Sequence, residues 1–250
     1  MTTQSPTGPY RRSGQFGGSL LETMVAMAIG LIIVAAAVEV FVTHHGHFIA
    51  QRTRADLQQD IRSGVNLMAV ELRLASLLMT FSATEIAFKA NVNDVQGRVL
   101  TSAFAGQSSV QATPNRGWVR GKTVRLCSPA GCEQMVLERD GTSGHLALSA
   151  PLTGHYAVGS HVEVINQVRY YLSRSQPGNA KLMREVDHGS NPLIERVESF
   201  SLDYFNRSGE PATRPDDVRL IRFQLQTRGI DGKGGKIIRN HIQDLGVRAL

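Results

Sequence analysis

The chain has 250 residues, 42% of them hydrophobic, with 27 Lys and Arg against 21 Asp and Glu for a net charge of +6. That length suffices for one sizeable core, and a mixed or all-β domain of this size need not be divided. Lys and Arg are scattered in ones and twos rather than gathered into runs, so the basic balance alone excludes a nucleic-acid-binding assignment made from charge.

The first segment, "MTTQSPTGPYRRSGQFG", is polar, rich in turn formers, and carries Arg11 and Arg12 with no acid. A bias of positive charge toward the cytoplasm predicts that residues 1–17 stay inside and that the remainder is exported. From Thr23 to Val38 no residue is charged, and Leu20 and Leu21 bring the apolar stretch close to the roughly 20 residues that span a bilayer. No small-residue cleavage site follows a short apolar core, as a secretory signal would require. Glu22 stands inside the apolar stretch, where an unpaired carboxylate costs several kcal/mol in hydrocarbon. Held at the headgroup level, it would instead be an acid favourably placed at a helix N-terminus. Glu39 falls near the far end of the run, at the outer boundary of a membrane or at an intersubunit contact.

Beyond Val42 the helical pattern continues. Leu57, Ile61, Val65, Met68, Leu72 and Ala75 are spaced by four, four, three, four and three, one face of an α-helix. The spacing predicts one helix from about Leu20 to Leu78, on the order of 90 Å long at 1.5 Å per residue. Gly30, Gly46 and Gly64 weaken it by about 1 kcal/mol each relative to Ala. "HHGH", with His44, His45 and His47, does not point three imidazoles to one side of a helix and has no fourth ligand nearby, so it predicts no metal site.

After Ser76 the periodicity becomes alternating. "TEIAFKA", "KTVRLC", "EQMVLER", "HLALSA", "HVEVINQVRYYLSR", "KLMREV", "ERVESFSLDYF", "DVRLIRFQLQTR" and "GKIIRNHIQ" read as strands. Residues 105–117, 174–180, 206–216 and 229–235 read as loops, the last a hairpin turn by composition. The predicted fold is α+β: a long N-terminal α-helix, transmembrane in its first half and amphipathic in its second, packed on a mainly antiparallel β head in a lollipop shape. The expected organisation is a cytoplasmic leader over 1–17, a membrane or filament-core helix over 18–42, its amphipathic continuation over 43–78, and a periplasmic head over 79–250. Cys127 and Cys132 enclose "SPAG", whose Pro129 and Gly131 favour a tight reversal. One C-x4-C lacks the second ligand pair a structural zinc needs; outside the cytoplasm the pair predicts a disulfide, and inside it two free thiols.

Motifs for catalysis are missing: no G-x-S-x-G elbow, no phosphate loop and no H-E-x-x-H, so no reaction, cofactor or metal is proposed from the sequence. "NVNDVQG", Asn91 to Gly97, and the pair Asp216 and Asp217 offer oxygen ligands without the spacing of a calcium loop. In "NRGWVRGK", Trp118 and Arg120 form a small aromatic and basic cluster, suited either to stacking on nucleic acid or a partner, or to partial burial at a sheet edge.

A basic leader ending in Gly17, then "GSLLE" and an apolar helix, resembles the class III signal of type IV pilins and pseudopilins. "LLETMVAMAIGLIIVAAAVEVFV", "LQQDIRSGVNLMAVELRLAS", "VESFSLDYF" and "DVRLIRFQLQTR" are similar to the PilW group of minor pilins. The resemblance is strongest over Gly17 to Ser76 and moderate over Ile194 to Arg228. It implies cleavage by prepilin peptidase between Gly17 and Gly18, N-methylation of Gly18, where most members have Phe, and pairing of Glu22, the fifth mature residue, with a terminal amine in a filament. It also implies an inner-membrane subunit with its N-terminus cytoplasmic, other minor and major pilins and an assembly platform as partners, and no nucleic acid. The alternatives are a minor pseudopilin of type II secretion similar to the J component, and a tip adhesin or DNA-binding module.

Overall fold

A computed structural model describes residues 19–174, 179–230 and 235–247. Helix α1 runs from Leu20 to Arg73 without interruption. Ser19 begins it, its hydroxyl accepting from the Leu21 amide at 3.3 Å. Such a cap satisfies one of the amides left open at a helix start. At the other end the Leu74 amide donates back to the carbonyls of Glu71 and Leu72, and the chain turns directly into strand β1 (Ala75–Ser82). The helix is therefore shorter than the predicted limit at Leu78. "ASLLM" is apolar enough for either state; antiparallel pairing with β2 (Glu85–Ala90), from Ala75 opposite Ala90 to Ser82 opposite Glu85, decides for strand.

The remaining strands are β3 (Gln96–Arg98), β4 (Ser109–Gln111), β5 (Thr123–Ser128), β6 (Gly131–Val136), β7 (His145–Ala147), β8 (His161–Ser173), β9 (Ala180–Val186), β10 (Gly189–Phe205), β11 (Leu220–Ile230) and β12 (Lys236–Gly246). They bear out the α+β expectation, and the pairings are antiparallel throughout. The main sheet runs β1-β2-β8-β9-β10-β11-β12, with β3 and β5 joined to the first half of β8 and β6 hairpinned onto β5. β4 and β7 form a separate pair, so the predicted loop over 105–117 contains a short strand. A 3-10 turn at Pro215–Asp217 lies at the end of the predicted loop over 206–216. The predicted turns at 174–180 and 229–235 fall largely outside the described residues, but the strands flanking the second pair in unbroken register, from Leu220 opposite Gly246 to Ile230 opposite Lys236.

Two cores result. The larger lies between the second half of α1 and the main sheet, where Ile61, Val65, Met68 and Leu72 meet Phe88, Tyr170, Ile194, Phe200, Phe223 and Leu225. The smaller fills a lobe built on β3 to β7 and the start of β8, around Trp118, Leu126, Leu137, Leu146 and Val162. Gly64 is where the helix comes closest to β10: a Cβ there would lie 2.6 Å from Cγ1 of Ile194. Gly229 on β11 allows the same approach to Leu57 and Thr53.

Candidate functional site

The buried residues of α1 begin at Leu57. Ahead of it, roughly 55 Å of helix projects with its side chains largely in the open. Leu20, Met27, Leu31 and Phe41 are each more than two thirds exposed. This is a helix near the N-terminus long and apolar enough to cross a membrane. An exposed apolar surface as long as that from Leu20 to Val42 is costly in water.

Glu22 sits in the first turn, exposed, its carboxylate without ion pair or hydrogen bond among the described residues. The first turn is the positive end of the helix dipole. Thr23 instead turns its hydroxyl back onto the Leu20 carbonyl at 2.8 Å. Glu39 is also exposed; of the three histidines His44, His45 and His47, the second stacks on Phe41 at 6.0 Å between ring centres. Gly17 and Gly18, the predicted processing pair, lie outside the described residues.

Where α1 meets the head, a buried polar cluster joins helix to sheet. Glu71 is 3% exposed, and its carboxylate accepts from the Tyr170 hydroxyl on β8 and from the Arg184 guanidinium on β9, Nε at 3.0 Å. The bonds to Glu71 hold Arg184 above the usual arginine range. Burial, reinforced by the neighbouring carboxylate, pushes the Tyr170 phenol well above its ordinary value. A buried carboxylate is tolerable only with such partners. The sequence carried a signal for it, since Glu71 stands three residues after Met68 on the apolar face.

Cys127 and Cys132 are directly opposite in the β5–β6 hairpin, 4.1 Å apart at Cα, and form a disulfide. Gly131, at φ 149°, takes the turn backbone that L side chains disfavour. Trp118 is fully buried and its Nε1 donates to the Thr113 carbonyl at 3.0 Å. That removes the stacking reading of "NRGWVRGK" and goes beyond partial burial: the indole is a centre of the second core, while Arg120 beside it is exposed. Asn91 spends its amide on its own turn, Oδ1 accepting from Val95 N at 3.1 Å and Nδ2 donating to Val95 O at 3.2 Å. Among the described residues no group of three or more His, Cys, Asp and Glu is placed to hold a metal ion.

The chain matches no protein-family model, no characterised protein and no solved structure with which it was compared. The chain itself presents an exposed apolar helix, fastened by an ion pair and close packing to a disulfide-bearing sheet.

Proposed function

We propose that this chain is a pilin-like subunit of the PilW type, a minor pilin that is cleaved after Gly17, methylated at Gly18, and built into a type IV pilus or its initiation or tip complex. The observation that carries the reading is the first half of α1, an apolar helix that packs on nothing in its own head and bears one acid, Glu22, in its first turn. In this reading the helix rests in the inner membrane with its N-terminus cytoplasmic and its head periplasmic, and the disulfide suits an oxidising compartment. Assembly transfers the helix from lipid to a bundle of like helices from other minor and major pilins. The Glu22 carboxylate then meets a terminal amine, which neutralises two charges that would be costly apart in an apolar bundle. Prepilin peptidase and the inner-membrane assembly platform are the implied partners of the steps before incorporation.

The test separates processing from assembly. Intact mass of the mature chain should correspond to an N-methylated Gly18 start, and Glu22→Ala should leave that mass pattern intact while abolishing recovery in sheared filaments. A mature N-terminus elsewhere would overturn the leader assignment, and normal incorporation of the alanine variant would overturn the charge-pairing role. Crosslinked partners that belong to a secretion machine rather than a pilus would move the subunit to type II secretion.

A further inference from the structure

On one edge of β8 the neighbouring strand changes. β5 pairs with His161 to Ile165, and β9 pairs with Val168 to Ser173, leaving Asn166 and Gln167 between them. Asp187, in the turn after β9, fills that gap. Its amide donates to the Gln167 carbonyl at 3.0 Å, and its carboxylate accepts from Gln167 N at 2.9 Å, Asn166 Nδ2 at 2.8 Å and Lys122 Nζ at 2.6 Å. Asp187 and His188 are consecutive left-handed residues, φ 48° and 72°, a tight-turn backbone that non-glycine side chains seldom adopt. A cleft of about 400 Å³ opens over this junction, lined by Lys89, Arg120, Lys122, Thr123, Gln167 and His188.

The charge in the cleft is unbalanced. Asp187 is the carboxylate that lines it, and its oxygens are already committed to Lys122, Asn166 and Gln167. Among the described residues the Lys89 ammonium reaches the neutral Gln134 Oε1, at 2.8 Å, and no carboxylate. The Arg120 guanidinium has no ion pair among the described residues. His188, which also lines the cleft, has its Nδ1 4.0 Å from Glu185 Oε1. Two cations without an ion pair among the described residues, from separate segments, thus line one concavity, with the Asp140 carboxylate nearby accepting from the Arg120 backbone amide at 2.7 Å; low-dielectric walls concentrate the field of such cations. The guanidinium fork and an ammonium are the pair of groups that hold oxyanions, and Thr123 and Gln167, which also line the cleft, carry neutral donor groups. With Trp118 buried, its indole is not available for a base to stack on, and the ring that lines the cleft is the His188 imidazole.

We propose that this cleft is a binding site for a compact oxyanion of the phosphate class, held by Arg120 and Lys89. The ligand is a single phosphate or a phosphomonoester rather than a polyanionic strand. The basic half of "NRGWVRGK" then has a role that its aromatic half does not share.

The experiment is calorimetric titration of the full chain in detergent micelles with inorganic phosphate and, in a second arm, glycerol 1-phosphate. The expected result is saturable binding of one anion per chain, weakened about tenfold or more by Arg120→Ala and by Lys89→Met, and unchanged by Arg139→Ala, an exposed cation of the same lobe outside the cleft. Tighter binding of glycerol 1-phosphate assigns the site to phosphate esters, and equal or weaker binding assigns it to free phosphate. Absence of saturable binding in both arms overturns the proposal. So does an affinity unchanged in both cleft variants, or reduced as much by Arg139→Ala, provided circular dichroism shows each variant folded.

Discussion

Glu71 shows how one residue can be chemically decisive and easy to overlook. Its position on the apolar face of α1 is readable from spacing, but its tolerance depends on Tyr170 and Arg184, which are 99 and 113 residues away. No local pattern announces that coincidence. Removing one partner of a buried pair leaves the other charge without compensation. Arg184→Ala is expected to destabilise the head by about 3 kcal/mol, the lower end of the range for such pairs because its side chain is 24% exposed. Replacing the cluster together, as Glu71→Leu, Tyr170→Phe and Arg184→Met, should recover most of that loss, since no buried polar atom of the cluster then lacks a partner. Thermal unfolding of Arg184→Ala and of the triple variant checks this. A triple variant as unstable as Arg184→Ala would show that the cluster acts through shape rather than charge. Trp118 carries the complementary lesson. Its neighbours Arg116 and Arg120 suggest a surface cluster, yet its own burial and its bond to Thr113 are set by the fold of the second lobe.

The helix was legible as an element because its apolar residues recur at helical spacing over many turns. Its end was not, because "ASLLM" satisfies either period and only pairing with β2 selects strand. Long strands such as β8 and β11 announced themselves by alternation, whereas β3 and β4, three residues each, carry too few side chains for a period to show. The glycines of α1 divide in the same way. From propensity alone Gly30 and Gly64 are equal weak points. In the fold, a Cβ at Gly30 meets nothing within 4 Å, while one at Gly64 would collide with Ile194, itself 2% exposed. Gly30→Ala should therefore leave head stability unchanged. Gly64→Ala should lower it by roughly 1–2 kcal/mol, overpacking outweighing the propensity gain. Unfolding midpoints of the two variants, measured under one condition, test the contrast; equal midpoints would mean that the helix stands further from β10 than the packing indicates.

The molecule as a whole divides its long helix between two environments. The buried residues of α1 run from Leu57 onward and belong to the head, whereas the apolar stretch up to Val42 packs on no part of it; the polar turns between them, which include Thr53 against Gly229, join the two. Deleting residues 1–42 is expected to yield a water-soluble, monomeric head with its disulfide and near-ultraviolet dichroism intact, because Leu57, Ile61, Val65, Met68 and Leu72 are all retained. Sedimentation velocity and dichroism of the truncated chain check this, and an aggregated or unfolded product would show that the first half of α1 supports the head after all. Local pattern alone was enough to specify an apolar helix of membrane-spanning length, its amphipathic continuation, the longer strands, and a cysteine pair flanking a turn. Each depends on residues near one another in the chain, where period and turn chemistry act directly. The partners of Glu71, the burial of Trp118, the close approach at Gly64 and the meeting of Lys89, Arg120 and Asp187 at the fork in the sheet emerged only in three dimensions. Those depend on which distant strands pair, and pairing is settled by burial across the whole core rather than by any one segment.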